Sequence, residues 1–173
     1  LCDDVLIIGA RFPLEIESDN VVLIDCPEAD TANSIQFDHV FAAETAKLAQ
    51  AKGADGLMVM PPMVYPAKPR ETLAHFRTVA AASDLPIMIY NNPPVYKNDV
   101  TPDVVASLVD CETIVCFKES SGDINRVHLL ARDYPHVQLS CGMDDQALEF
   151  FAWGARSWVC GGSNFLPAEH LAL

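Results

Sequence analysis

From residue 37 onward, apolar and polar positions fall into two alternating patterns. Residues 37–52 are Ala-rich, with Val40, Phe41, Ala43, Leu48 and Ala51 at helical spacing, and Gly53 stands where a helix C-cap belongs. Residues 56–60 then form an unbroken apolar run stopped by Pro61-Pro62, as a buried strand would be. The alternation repeats. Residues 70–83 are helical in pattern, Pro86 introduces a strand over 87–90, and Asn91-Asn92-Pro93-Pro94 ends it. Thr101-Pro102-Asp103, an N-cap followed by proline at the first helical position, opens a helix through Leu108. Strands are predicted over 113–117, 137–139 and 157–160, with helices over 124–134 and 146–153 between them.

Strands beginning near Leu57, Ile87, Ile114, Val137 and Ser157, each pair separated by one helix, make a serial β/α repeat. Every strand is an apolar run rather than an alternating one, which fits a parallel sheet covered on both faces. An open doubly wound sheet and a (β/α)8 barrel both satisfy this pattern. Residues 1–36 differ and form an atypical N-terminal segment, set apart from the βα units of 37–173. Its strand-like runs, 5–8 and 21–24, are separated by 12 residues that include Pro13, too few for an ordinary crossover helix. Gly9 alone after Ile7-Ile8 cannot supply the three glycine roles of a dinucleotide-binding turn, so that reading is rejected.

Composition narrows the function classes. A formal net charge of −13 and a pI near 4.5 argue against nucleic acid or an anionic membrane surface as partner. No apolar stretch approaches the roughly 20 residues that span a bilayer, and the opening Leu1-Cys2-Asp3-Asp4 lacks the basic start of a signal peptide. The six cysteines form no Cys-x-x-Cys pair, and Cys26, Cys116 and Cys160 lie in or beside apolar runs, which leads to the expectation of reduced core thiols in a cytoplasmic protein. His39, His75, His128, His136 and His170 are scattered without the pairing of a metal site, so no metal is expected.

One residue carries most of the chemistry. Lys118 closes the apolar run Ile114-Val115-Cys116-Phe117 and leads into Glu119-Ser120-Ser121-Gly122-Asp123, which places it at the C-terminal end of a buried strand, where α/β folds keep their reactive groups. Burial there would disfavour the ammonium and leave an amine able to attack a carbonyl carbon. The competing reading is a solvated surface lysine.

Several further motifs follow one another in order: Gly53-Ala54-Asp55-Gly56 before a strand, Ile89-Tyr90-Asn91-Asn92-Pro93, Phe117-Lys118-Glu119-Ser120-Ser121-Gly122-Asp123, Gly142-Met143-Asp144-Asp145, and Gly154-Ala155 followed by Asn164 and Pro167. With them, residues 37–167 closely resemble the dihydrodipicolinate synthase and N-acetylneuraminate lyase family of class I Schiff-base aldolases. The resemblance implies a (β/α)8 TIM barrel, here incomplete, with the C-terminal five βα units behind the atypical N-terminal segment. It implies that Lys118 forms an imine with a small 2-oxo acid and that Tyr90 carries a proton beside it, with no cofactor. Gly142, Asp144 and Asp145 match the loop that meets the distal part of the substrate, and Val159, Gly161 and Gly162 match the strand end near its carboxylate.

Three departures refine this expectation. The synthase branch has an arginine shortly after its tyrosine motif, whereas this chain continues Pro93-Pro94-Val95-Tyr96-Lys97-Asn98-Asp99, a form closer to members that dehydrate or deaminate 2-oxo acids. Pro62-Met63-Val64-Tyr65 lacks the usual tyrosine pair, and residues 1–36 lack a Gly-Thr-Thr-Gly-Glu-like loop. The expected function is therefore a lyase that removes water or ammonia from a 2-oxo acid. The alternatives are 4-hydroxy-tetrahydrodipicolinate synthase activity, condensing pyruvate with aspartate semialdehyde, and a non-catalytic truncated paralogue that serves as an association scaffold. The family pattern and the exposed sheet edges of a partial barrel imply a homo-oligomer, dimer or tetramer.

Overall fold

A computed structural model describes residues 21–24, 38–63, 65–159 and 161–172 of the chain. Six strands form one sheet: β1 (Val21–Ile24), β2 (Gly56–Val59), β3 (Ile87–Asn91), β4 (Ile114–Glu119), β5 (Gln138–Cys141) and β6 (Ser157–Trp158). All five pairings are parallel and the spatial order is β1-β2-β3-β4-β5-β6. A doubly wound sheet reverses its order at a switch point, which sends helices to both faces. Here the order never reverses, so right-handed crossovers put every helix on the same face and the sheet curls as a half-barrel. That decides between the two architectures that periodicity left open. The sheet also takes a strand, β1, from the N-terminal segment, over the strand-like run 21–24; the other strand-like run, 5–8, lies outside the described residues.

The helices lie where the apolar spacing predicts them. They are α1 (Asp38–Ala51), α2 (Pro69–Ala80), α4 (Pro102–Ala106), α5 (Ile124–Asp133) and α6 (Ala147–Ala152); a further helix, α7 (Pro167–Leu171), follows the last strand, where apolar spacing predicts none. A short α3 (Pro93–Tyr96) was not predicted, because its two prolines mark a strand's end; both sit in its first turn, where a missing N–H costs nothing. Gly53 ends the α1 turn at φ +84°, the conformation that makes glycine the preferred residue there. The carboxylate of Asp123 caps α5 by accepting from Asn125 N at 3.1 Å, and Glu71 Oε2 accepts from Lys68 N at 2.8 Å at the start of α2.

Although the strands read as continuous apolar runs, their two faces bury different things. Leu57, Val59, Ile87, Ile89, Phe117 and Leu139 pack against Phe76, Val79, Val104, Val127, Leu130 and Phe150 on the helix side. The opposite face carries Met58, Met88, Cys116 and Val159, with Tyr90 and Val115 against them. This alternation fixes which residues line the inside of the curl. One irregularity sets the register on which the site depends. Ile87 pairs with Ile114 but Met88 pairs with Cys116, so Val115 is an extra residue in β4.

Candidate active site

At their C-terminal ends β3 and β4 align Tyr90 with Lys118 and Asn91 with Glu119. Side chains alternate along a strand, so Tyr90 and Lys118 share the inner face while Asn91 and Glu119 share the outer one. Lys118 is buried, and its Nζ lies 3.5 Å from the centroid of the Tyr90 ring. Burial pushes the Lys118 ammonium below the ordinary lysine value; Tyr90, Asp144 and Cys141 pull it partly back. For Tyr90, burial acts to raise the phenol, but the Lys118 charge and hydrogen bonding from Asn92, Lys118 and Ser120 outweigh it, and the phenol falls below its usual range. Asn92 Nδ2 donates to the Tyr90 hydroxyl at 3.1 Å. The pair thus joins an amine that sheds its proton easily to a phenol that gives one up easily, a combination suited to carbonyl attack followed by proton transfer.

Gly142 sits directly against this pair. A Cβ there would overlap Ser120 Oγ and lie 2.8 Å from the Glu119 carbonyl oxygen and 3.1 Å from Lys118 Cε. Glycine is therefore required for close approach to the lysine stem. Ser140, the register partner of Lys118 on β5, is fully buried, and its hydroxyl has no hydrogen-bond partner among the described residues.

The remaining expected residues fall into a second group at the ends of β5 and β6. Asp144 accepts from Trp158 Nε1 at 3.1 Å and from Gly162 N at 3.2 Å. Gly161 follows the same strand, and a Cβ on it would stand 3.9 Å from Asp144 Oδ2. Through its charge, Asp144 links this group to Lys118. Asp145 is exposed on the turn Asp144–Gln146. Val159 is buried with Met58, Met88 and Cys116 and forms part of the apolar inner wall.

Sequence reasoning missed Asn92, Ser120 and Tyr96 as members of the site. Tyr96 stands edge-on to Tyr90, with centroids 5.5 Å apart and planes at 88°. Ser120 Oγ lies against Gly142 without a hydrogen bond of ordinary geometry, yet close enough to act on the Tyr90 phenol. Strand parity was the available signal for Ser120, two residues beyond Lys118 on the same face. Among the described residues no cluster of three His, Cys, Asp or Glu could hold a metal. Cys111, Cys116 and Cys141 form no disulfide among the described residues; Cys141 Sγ donates to Met143 O at 3.1 Å, and Cys116 is pushed up to about 12 by burial.

Comparison with known proteins follows this geometry. The dihydrodipicolinate synthetase family model matches residues 39–173. A 4-hydroxy-tetrahydrodipicolinate synthase from Exiguobacterium sibiricum is 37% identical over 131 residues, covering 75% of this chain and 45% of that protein. Among solved structures, the 4-hydroxy-tetrahydrodipicolinate synthase of Methylacidiphilum fumariolicum superposes with a TM-score of 0.72 at 31% identity, over 75% of this chain and 44% of that one. A prophage protein of the dihydrodipicolinic acid synthase family from Escherichia coli K12, solved with pyruvate, gives a TM-score of 0.69 at 27% identity, over 75% of this chain and 45% of its own. The chain thus spans a little under half the length of these relatives and matches part of their barrel. On the family match and the sequential half-barrel together, the chain belongs to the dihydrodipicolinate synthetase family.

Proposed function

We propose that this protein forms an imine between Lys118 and the 2-oxo group of a small 2-oxo acid and uses Tyr90 to move protons beside it. The observation that carries this reading is the buried Lys118 Nζ held 3.5 Å over the Tyr90 ring. The amine attacks the carbonyl carbon, the carbinolamine loses water, and the protonated imine accepts the electron pair of the adjacent C–H bond as that proton is removed, giving an enamine. Gly142 admits the substrate-bearing lysine stem, and Asp144 faces it from the ends of β5 and β6.

The enamine then pushes its electron pair back to expel a hydroxyl or amino group, which leaves with the C–O or C–N bonding pair and takes up a proton, giving loss of water or ammonia. Support comes from residues 92–99, which contain no arginine and instead set Tyr96 against Tyr90, an aromatic wall with little to offer a second carboxylate. Lys97, the cation of that segment, turns its Nζ back to Pro94 O at 2.5 Å. The condensing synthase is the second reading, favoured by the likeness to the 4-hydroxy-tetrahydrodipicolinate synthases of Exiguobacterium sibiricum and Methylacidiphilum fumariolicum. The thiols of Cys111 and Cys116, neither in a disulfide, support a reducing, cytoplasmic setting, and the two edges of the described sheet, β1 and β6, support oligomer formation. No helix among the described residues is long and apolar enough to cross a membrane.

Incubation with pyruvate and borohydride, followed by peptide mapping, tests the central step. The expected adduct is on Lys118 and is lost in Lys118→Ala. An adduct on a different lysine, or none across a panel of 2-oxo acids, would remove the reading. Faster condensation of pyruvate with aspartate semialdehyde than loss of water or ammonia would select the synthase.

A further inference from the structure

Behind the reactive pair, on the outer face of the sheet, Asn91 and Glu119 form a buried polar unit. Asn91 is 0% and Glu119 1% exposed. Asn91 Nδ2 donates to Glu119 Oε2 at 3.0 Å and to Asp99 Oδ1 at 3.3 Å, while Asn91 Oδ1 accepts from Val100 N at 2.9 Å. Glu119 Oε1 accepts from Ser121 N at 2.5 Å. Arg126 of α5 grips Asp99 with two bonds and lies 3.9 Å from Glu119 Oε2. Both oxygens of Glu119 therefore face donors, and the amide of Asn91 can point only one way. The network ties together β3, β4, the 92–100 loop and α5.

Its location gives it a role beyond stability. Asn91 and Glu119 are register partners, each one residue beyond Tyr90 and Lys118. The extra residue Val115 sits at the other end of β4, so the register that brings Lys118 beside Tyr90 begins only after a bulge. A one-residue slip would turn one partner to the opposite face. We infer that Asn91 and Glu119 act as one positioning unit, with Arg126 and Asp99 behind them, that locks β3 to β4 in the register placing Lys118 over Tyr90. This rests on the reading of Lys118 as the reactive amine, but its geometry can be tested without substrate.

The test measures, in the full protein, how fast trinitrobenzenesulfonate modifies Lys118 across a pH series, read by peptide mass spectrometry, with borohydride trapping and thermal midpoint alongside. The groups facing Lys118 are Tyr90, Cys141 and Asp144, all unchanged in the variants. Glu119→Gln sets an NH2 against the Asn91 NH2 or the Ser121 N–H. It should move the Lys118 profile toward an ordinary lysine and slow trapping about tenfold, the equivalent of one pKa unit. Combining Asn91→Asp with Glu119→Gln moves the carboxylate across the same bond at constant net charge and restores donor–acceptor pairing between 91 and 119 and between 119 and Ser121 N, although it sets the new carboxylate against Asp99 Oδ1. That double variant should move the profile back toward wild type, short of full recovery because the bond to Asp99 is lost. Arg77→Ala, which removes the exposed Arg77–Asp110 pair, should leave the profile alone whatever it does to the midpoint.

A wild-type profile in Glu119→Gln, or a folded double variant that stays as altered as the single one, would overturn the inference. So would failure of both variants to fold, which would make the pair a folding determinant only. If the wild-type protein traps no 2-oxo acid while the reactivity profiles behave as expected, the proposed chemistry fails and the positioning role stands.

Discussion

Tyr90 and Lys118 are register partners on adjacent parallel strands, and the lysine Nζ rests 3.5 Å from the centroid of the tyrosine ring. Two opposing effects meet there. The ring face and the acidic phenol favour the ammonium, whereas burial favours the free amine, and burial dominates. The contact thus sets a lysine whose ammonium is disfavoured by burial against a phenol that is itself more acidic than usual.

Tyr90→Phe keeps the ring and removes the hydroxyl. Imine trapping at Lys118 should persist, with turnover reduced by roughly the 10²–10⁴-fold of a positioned acid–base group. Because the phenol is one of the groups holding the lysine pKa up, the trapping profile should also shift to lower pH. Turnover equal to wild type would make Tyr90 a wall residue rather than a proton carrier.

Lys118→Met separates reactivity from stability. The folded-state pKa of Lys118 is depressed below its ordinary 10.5, so the unfolded chain holds that proton more tightly. The cost of burying the ammonium is fully present below the folded pKa and fades as pH climbs toward 10.5, where both states are losing the proton. The methionine variant should therefore trap nothing, and should be more stable than wild type at pH 7 by on the order of 1 kcal/mol. Denaturant midpoints measured at pH 7 and near pH 10 should converge. A variant less stable than wild type at pH 7 would mean that the contact with Tyr90 outweighs desolvation.

Much of this was legible in the sequence, for reasons that are local. Apolar spacing, Gly53 and Asp123 mark helix ends through backbone chemistry that needs no tertiary context. Lys118 stood out because it breaks an apolar strand at its C-terminal end, and Tyr90 because of the family motif that closes its strand. What stayed hidden depends on which strands are neighbours. Strand order decides between barrel and doubly wound sheet, and no periodicity encodes it. The bulge at Val115 is one residue in an even run of apolar ones. Ser120 and Asn92 read as loop chemistry, and become part of the site only once β3, β4 and β5 lie side by side. Asp144 was legible as a loop acid, but its bonds to Trp158 and Gly162 cross between two strand ends.

Gly142→Ala tests the close approach on which the lysine depends. The backbone at Gly142 is not in the left-handed region, so the cost of a methyl group is steric alone. Of the three atoms it would meet, Ser120 Oγ can rotate away, whereas the Glu119 carbonyl, which accepts from Gly142 N at 3.1 Å, is fixed by the sheet. Lys118 Cε, 3.1 Å from the new methyl, has to shift within a closely packed wall. The expected result is a loss of about 1–3 kcal/mol, typical of overpacking, together with slower trapping at Lys118. Adding Ser120→Ala removes the worst overlap but not the carbonyl, so the double variant should regain part of the stability and show a coupling the single changes do not sum to. Wild-type trapping and an unchanged denaturation midpoint in Gly142→Ala would mean that the 142–144 turn moves aside freely, leaving Gly142 as ordinary turn chemistry with no part in seating the lysine.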